Sequence, residues 1–325
     1  MISGLPFDDF RHLVANVPGP EEKARRRAAD VNRRLEAGGA RLGQVAKLSE
    51  WLAASSGRNP GVLRPQVAVF VGTHGIAARL GEDVSDAKDF VERCGAGRAA
   101  INQLCAAGDY GLKVFDLALD HPTGDITADA ALNERGCAAT MAFGMEAVAG
   151  GAGLVVLAGH GGKSGRVAAA TLLSALLGAS TADGLLNGGE GEHAKRALDH
   201  HDGHLSDPLE ALRRIGGREI AALVGAIVAA RTQKVPVLLD GLAAISAAAV
   251  LRALNPAAVD HCLVADRGGN GQPAVLEALD MTPLLLLGLD AEAGSAGAIA
   301  AGVVQSAAHF HAAAGAHGAP GRAVS

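Results

Sequence analysis

The chain has 325 residues, 49% of them apolar, with 29 Lys and Arg against 34 Asp and Glu and a formal net charge of -5. That is enough apolar material for a large core in one domain, or in one large and one small domain. With no basic field for a polyanion, and with Trp51 and Tyr110 the only residues of their kinds, nucleic acid is not an expected partner.

In chain order, the amino terminus Met1-Ile2-Ser3-Gly4-Leu5-Pro6-Phe7-Asp8-Asp9 has no cationic start and no apolar signal core, so no leader is expected. Residues 1–64 read as helices broken at Pro18-Gly19-Pro20 and Asn59-Pro60-Gly61, forming the first part of a small helical domain. Six short apolar runs then follow as candidate buried strands: Val67–Val71, Lys113–Leu119, Leu154–Leu157, Val235–Leu239, Cys262–Val264 and Leu284–Leu287. Between and after them lie Ala-rich stretches with helical spacing, clearest at Ala168–Leu177, Glu219–Arg231, Ala243–Leu254 and Ala296–Ala314. Strands apolar on both faces and alternating with helices predict an α/β domain over 65–290, with a doubly wound, mostly parallel sheet. Residues 291–325 supply a last helix that joins the small domain. No apolar stretch reaches the ~18 uninterrupted residues of a membrane helix. No membrane partner and a cytoplasmic location are therefore expected.

Cys94, Cys105, Cys137 and Cys262 are scattered without a C-x-x-C pair, which predicts reduced packing thiols rather than a zinc site or a disulfide framework. His193, His200, His201 and His204, with Asp199 and Asp202, could offer metal ligands if the segment stays helical, since positions 200 and 204 would share a face. The reading preferred here is a solvated turn, with no metal and no cofactor. His309, His311 and His317 are read as surface or interface residues.

Ligands of such sheets bind beyond the carboxyl ends of the strands. The exits to inspect are therefore Gly72-Thr73-His74-Gly75, Gly159-His160-Gly161-Gly162-Lys163-Ser164-Gly165-Arg166, Asp240-Gly241, and Gly288-Leu289-Asp290-Ala291-Glu292-Ala293-Gly294-Ser295. The glycine-rich turn opens a helix, and helix amino termini bind anions well. Gly159, Gly161, Gly162, Lys163, Ser164 and Arg166 are accordingly the candidate phosphate-binding residues. The turn does not match the P-loop pattern, because Leu157 sits where its first Gly is required.

Several blocks carry a family resemblance. They are Gly4–Arg11, Ala99-Ala100-Ile101-Asn102-Gln103, the long run from Gly111-Leu112-Lys113 through Thr140–Glu146, His204–Glu210, Gly216-Gly217-Arg218-Glu219-Ile220-Ala221-Ala222, Val235–Gly241, and Asp260-His261-Cys262-Leu263. In this order they resemble the nicotinate-nucleotide:dimethylbenzimidazole phosphoribosyltransferases, which make the α-ribazole phosphate of the cobalamin lower ligand. The resemblance spans nearly the whole chain. It implies a Rossmann-like domain with a smaller helical domain, a homodimer with its site near the dimer interface, and nicotinate mononucleotide and a benzimidazole-type or phenolic base as partners.

Fold does not carry activity, so each functional position is compared singly. The family's general base is a Glu in a Gly-Glu-Gly-Thr/Ser-Gly segment; here Ala293 holds that position and Glu292 lies one residue earlier, a displaced candidate base, with Asp290 as an alternative. The family's phosphate loop corresponds to the turn at Gly159–Arg166, to which Lys163 and Arg166 add charge. Its second phosphate element, a Gly-rich segment followed by a Lys, is shorter here, and Glu190 falls at about the Lys position, with Lys195 nearby. His74-Gly75 matches the family's base-pocket motif. The loop that follows, Arg79–Lys88, is short and highly charged, and Ala265–Asn270 lacks the Ser, Glu and His expected after His261. His74, Asn102, Asp240 and His261 are the candidate base and ribose pocket. Two functions follow from this comparison. One is a phosphoribosyltransferase of weak or altered activity. The other is a catalytically inactive paralogue, acting as a ligand-binding regulator or as a partner subunit in a heteromer with an active paralogue.

Overall fold

The computed structural model describes residues 6–148, 150–289 and 291–316. Three helices come first, α1 (Pro6–Ala15), α2 (Glu22–Ala37) and α3 (Gln44–Ser56), and then β1 (Pro65–Val71), α4 (Ser85–Gly95), α5 (Ala100–Gly108) and β2 (Gly111–Asp116). The middle of the chain forms α6 (Glu134–Glu146), β3 (Leu154–His160), α7 (Gly162–Leu177), α8 (Gly188–His200), α9 (Pro208–Ile215) and α10 (Arg218–Gln233). It continues with β4 (Val237–Asp240), α11 (Gly241–Leu254), β5 (Cys262–Asp266), α12 (Gln272–Ala278), β6 (Pro283–Leu285) and α13 (Ser295–Ala316).

The six strands form one parallel sheet in the order β2-β1-β3-β4-β5-β6. Chain direction across the sheet reverses between β1 and β3, the position at which such folds open a crevice. Alternate residues of the central strands enter two separate cores. Ala68, Phe70, Val155, Leu157, Val237 and Leu239 face one layer of helices, and Val67, Val69, Val71, Val156, Ala158 and Leu238 face the other. The second face is covered by α3, α4, α5 and α13, and α13 also reaches α2; α1 lies on the first face against α6 and α11.

All six strand expectations correspond to strands, with differences at the ends that have local causes. β2 stops at Asp116 because its carboxylate accepts the Leu119 N–H at 3.1 Å and Ala118 takes a left-handed conformation, folding the chain out of the sheet. β6 stops at Leu285 because the next available N–H, from Leu287, goes to the Asp266 carboxylate at 2.7 Å. β4 starts only at Val237, after Pro236, which has no N–H to donate. The four expected helices are all present, each starting earlier or ending later than its apolar run. The four cysteines are free and buried. Burial pushes the Cys94 and Cys105 thiols up to about 11. Among the described residues no helix is long and apolar enough to cross a membrane.

The central helix of the first face is α10, buried on every side from Glu219 to Arg231. It can lie against α6 only because both present glycine at the crossing. A Cβ at Gly225 would stand 1.8 Å from the Met141 carbonyl oxygen, and one at Gly144 would stand 1.9 Å from that of Ala222. Backbone atoms cannot yield as a flexible side chain can. Gly225→Ala should therefore destabilise the fold by about 1–3 kcal/mol or more in urea unfolding. Gly95→Ala, where the added methyl meets nothing, serves as the control. Equal midpoints for the two variants would show that the helices do not cross this closely.

Candidate active site

A cavity of about 240 Å³ opens at the carboxyl ends of β3, β4 and β5. Its walls come from the end of β3 and the turn that follows it (Gly159 to Arg166), the starts of α10 and α11, the loop after β5 (Gly268 to Asn270), and the segment before α13 (Leu289 and Ala291 to Ala293). A smaller recess between the exits of β1 and β3 holds Thr73, His74 and Glu82 and shares His160 and Gly161 with the cavity.

The turn after β3 carries most of the sequence-derived phosphate candidates. Gly159 lets α11 and α10 close in, since a Cβ there would lie 2.7 Å from the Ala243 Cβ and 3.2 Å from the Glu219 Cγ. Gly162 adopts φ +62°, and a Cβ there would lie 1.9 Å from Glu82 Oε1. That opening admits the Glu82 carboxylate to the helix start: the Lys163 N–H donates to Oε1 at 2.6 Å and the Ser164 N–H to Oε2 at 2.8 Å. The Ser164 hydroxyl donates to the Gly161 carbonyl at 3.1 Å. Arg166 donates to the Leu185 carbonyl through Nε and Nη2, at 3.2 and 2.9 Å.

Behind the turn lies a buried pair. His74 Nε2 stands 2.9 Å from Glu219 Oε1, with both side chains 1% exposed. A Cβ at Gly217 would stand 2.4 Å from both Glu219 Oε2 and the His74 ring, and one at Gly161 2.9 Å from His74 Nε2, so the backbone closes over the pair only through glycine. Burial pulls the His74 pKa down, but the adjacent Glu219 carboxylate and its hydrogen bond outweigh that and raise it above the usual value. His74 Nδ1 and Glu219 Oε2 are buried with no hydrogen-bond partner.

Asp240, at the end of β4, is buried on the cavity wall and accepts the Gly297 N–H at 2.5 Å. Burial raises its pKa to about 6, against the lowering effect of the N–H groups of Gly297, Gly294 and Ala296. Asp266, at the end of β5, accepts N–H groups from Gly268, Leu287 and Leu289 at 2.9, 2.7 and 2.9 Å. Its burial acts to raise its pKa, but these donors hold it below the usual carboxylate range. Glu292 also lines the cavity. Its Oε2 accepts the Ile101 N–H at the start of α5 at 3.1 Å, and its Oε1 lies 3.5 Å from Arg93 Nη2. The ring of His160 stacks on Phe90, with centroids 4.1 Å apart, and burial lowers its pKa.

Of the candidates read from the sequence, Gly159, Gly161, Gly162, Arg166, Asp240 and Glu292 meet at the cavity, and Ser164 and His74 adjoin it in the recess. Lys163 contributes its backbone N–H at the turn. Asn102 and His261 lie elsewhere. Asn102 closes the first turn of α5, its Oδ1 accepting the Ala99 N–H at 3.2 Å and its Nδ2 donating to the Cys94 carbonyl at 3.0 Å. His261 sits before β5, its Nε2 3.0 Å from the Ile227 carbonyl oxygen, and burial pushes its pKa down to about 3. Neither side chain lines the cavity. Asp290 and His317 fall outside the described residues. His200 ends α8, His201 caps it and His204 follows in a turn. No group of His, Cys, Asp or Glu among the described residues is arranged to hold a metal ion.

Sequence reasoning does not single out Glu82, Glu219 or Asp266. Glu82 reads as one more charge in a charged loop. Asp266 stands in a segment notable for the residues it lacks. Glu219 stands one residue beyond the pair Gly216-Gly217, with Arg218 between, and that glycine pair at the start of an otherwise apolar helix is the one signal in the sequence that this acid is buried.

A parallel sheet with a polar cavity over its carboxyl edge is also what comparison with known proteins finds. A family profile described as phosphoribosyltransferase matches residues 17–317. The nicotinate-nucleotide–dimethylbenzimidazole phosphoribosyltransferase of Sinorhizobium fredii is 51% identical, covering 95% of this chain and 95% of that protein. The protein of the same description from Allorhizobium ampelinum is 50% identical, over 95% of this chain and 94% of its own length. Among solved structures, the enzyme of that description from Thermus thermophilus superposes with a TM-score of 0.77 at 27% identity, covering 88% of this chain and 95% of the other. The chain belongs to the nicotinate-nucleotide–dimethylbenzimidazole phosphoribosyltransferase family.

The His74–Glu219 pair links the site to stability. Because the folded His74 pKa lies above the ordinary histidine value of 6.5, the pair's contribution is fully present below about pH 6.5 and is lost as pH rises through the raised folded value. Glu219→Gln should abolish that dependence in urea unfolding measured across this range. Glu219→Ala, which leaves His74 buried alone, should cost about 3–5 kcal/mol. The same pH slope in the wild type and in Glu219→Gln would contradict the pairing.

Proposed function

We propose that the chain is a pentosyltransferase of cobamide lower-ligand synthesis. It takes nicotinate mononucleotide as donor and a benzimidazole-type or phenolic base as acceptor. For a benzimidazole, the acceptor nitrogen attacks the anomeric carbon, and the bond from that carbon to the nicotinate nitrogen breaks with its electron pair going to nicotinate. The proton on the other acceptor nitrogen passes to a carboxylate. Family membership supports the class, and one observation carries the chemistry: Asp240 lies on the wall of the cavity with a pKa raised to about 6. A base whose pKa lies near the working pH is both available and strong enough to accept that proton.

Ala293, at the position the resemblance gives to the general base, also lines the cavity, and a methyl group cannot take a proton. Glu292 is held by Ile101 and Arg93, so its first role is to fix the segment before α13, and it is a displaced base only at second rank. The rate is therefore expected to fall below that of relatives with a carboxylate at that position. Nicotinate release should be detectable with 5,6-dimethylbenzimidazole and nicotinate mononucleotide. It should rise with pH through about 6 and level off above, as Asp240 loses its proton. Asp240→Asn should remove that acid limb and about 10²-fold or more of the rate, while Glu292→Gln should cost less. No release at high enzyme would refute the transferase and leave the partner-subunit reading in its place.

We also infer a homodimer. Ile299, Val303 and Phe310 on α13 are 37%, 40% and 50% exposed, and with Val45 they line one apolar groove. A second copy would bury it. Sedimentation should show a dimer that Phe310→Glu turns into a monomer; a monomeric wild type would exclude this assembly.

A further inference from the structure

Among the described residues that line the cavity, which are mostly glycine, alanine, leucine and acids, His160 is the one ring. It ends β3 and borders both the cavity and the recess, so it stands where the two spaces meet. Two residues past Ala158 on the strand, it faces the side of the sheet that carries Phe90. Phe90, itself fully buried, stacks on the imidazole with centroids 4.1 Å apart and planes 16° from parallel. Phe90 is steadied from its own helix, because the Arg93 guanidinium lies 5.9 Å from its ring centre and reaches Glu292 in the segment before α13. One face of the imidazole is thus taken by Phe90, and the rest of the side chain, half-buried, borders open space. Burial lowers the pKa of this imidazole; Glu219, Glu292 and Glu82 act against that, and Arg93 with it. The ring is therefore neutral at neutral pH. A neutral ring backed by a second ring suits a third, since aromatic pairs gain from offset stacking beyond the area they bury.

The acids of the wall decide which kind of ring. Glu219, Asp240, Asp266 and Glu292 all line the cavity. A phenol attacks as its phenolate, and that anion would meet like charges in a space where water screens them poorly. An azole attacks through a neutral nitrogen and becomes cationic as the bond forms, a change that nearby carboxylates stabilise. A two-ring azole also covers more of the imidazole than a single ring does, and so buries more apolar surface against it.

We propose that His160, backed by Phe90, is the stacking platform for the acceptor base, and that through it the chain selects a flat two-ring azole over a single-ring phenol. The inference rests on the transferase reading for the identity of the ligand and adds the contact that holds it. His160 is a specificity residue here: it orients the acceptor and takes no proton from it, and Asp240 remains the base.

Two measurements on the full chain test it: titration calorimetry with 5,6-dimethylbenzimidazole and with 4-methylphenol, and the KM for nicotinate mononucleotide in the nicotinate-release assay. The wild type should bind the benzimidazole about tenfold or more tightly than the phenol. His160→Ala should weaken benzimidazole binding about tenfold or more, bring the two affinities within about threefold of each other, and leave the KM for nicotinate mononucleotide within about twofold. His160→Phe restores a flat ring without its nitrogens, and should keep benzimidazole binding within about threefold of the wild type. That variant separates stacking from hydrogen bonding and guards against a loss of fold in the alanine variant. The inference is overturned if the wild type binds no benzimidazole or binds the phenol as tightly. It is equally overturned if His160→Ala leaves benzimidazole affinity unchanged or raises the mononucleotide KM as much, or if His160→Phe loses as much as His160→Ala. Calorimetry of the expected kind with no release of nicotinate leaves the platform standing and refutes the transferase.

Discussion

The pairing of carboxylates with backbone N–H groups at the carboxyl edge of the sheet is the interaction on which the rest of this structure depends. The starts of α5, α7 and α13 there concentrate unsatisfied donors and a partial positive charge, and each of the three is answered by an acid from another part of the chain. Glu82 reaches α7 from the loop before α4, Glu292 reaches α5 from the segment before α13, and Asp240 reaches α13 from the end of β4. These contacts connect elements far apart in sequence, so they fix the relative positions of the helices and the loops that form the cavity. They also set its electrostatics, because an acid that holds a helix in place cannot be removed without disturbing the wall.

The scaffold was legible in the sequence for a simple reason. Strands buried on both faces must be apolar throughout, and the helices between them must carry apolar residues at helical spacing. Val67–Val71 and Leu154–Leu157 therefore stand out without any knowledge of their partners. Strand ends were less legible because they depend on distant groups. Nothing near Leu286 shows that the amide of Leu287 will go to Asp266, twenty-one positions earlier in the chain.

The site was legible only in part. Gly159–Arg166 reads as a turn that opens a helix, and the structure places that turn, with Asp240 and Glu292, at the cavity beyond the strand ends. What could not be read was the contact that the Glu82 carboxylate makes with the turn. A helix start open to solvent and one capped from elsewhere in the chain have the same local sequence, and the difference lies in Glu82, about eighty residues away. Asn102 and His261 show the converse. Their blocks are recognisable, yet both side chains meet backbone atoms away from the cavity. The buried His74–Glu219 pair leaves its clearest trace in the glycines that surround it, because an uncharged backbone with no side chain is what lets two polar groups be enclosed so closely.

Apart from the Arg93 side chain beside Glu292, the partners that Glu82, Asp240, Asp266 and Glu292 grip are main-chain atoms of Lys163, Ser164, Gly297, Gly268, Leu287, Leu289 and Ile101. A main-chain amide survives almost any exchange of the side chain beside it. The acids are thus pinned while many of the residues they clasp are free to drift, and the polarity of the chamber can persist through long divergence even as its lining changes in size and shape.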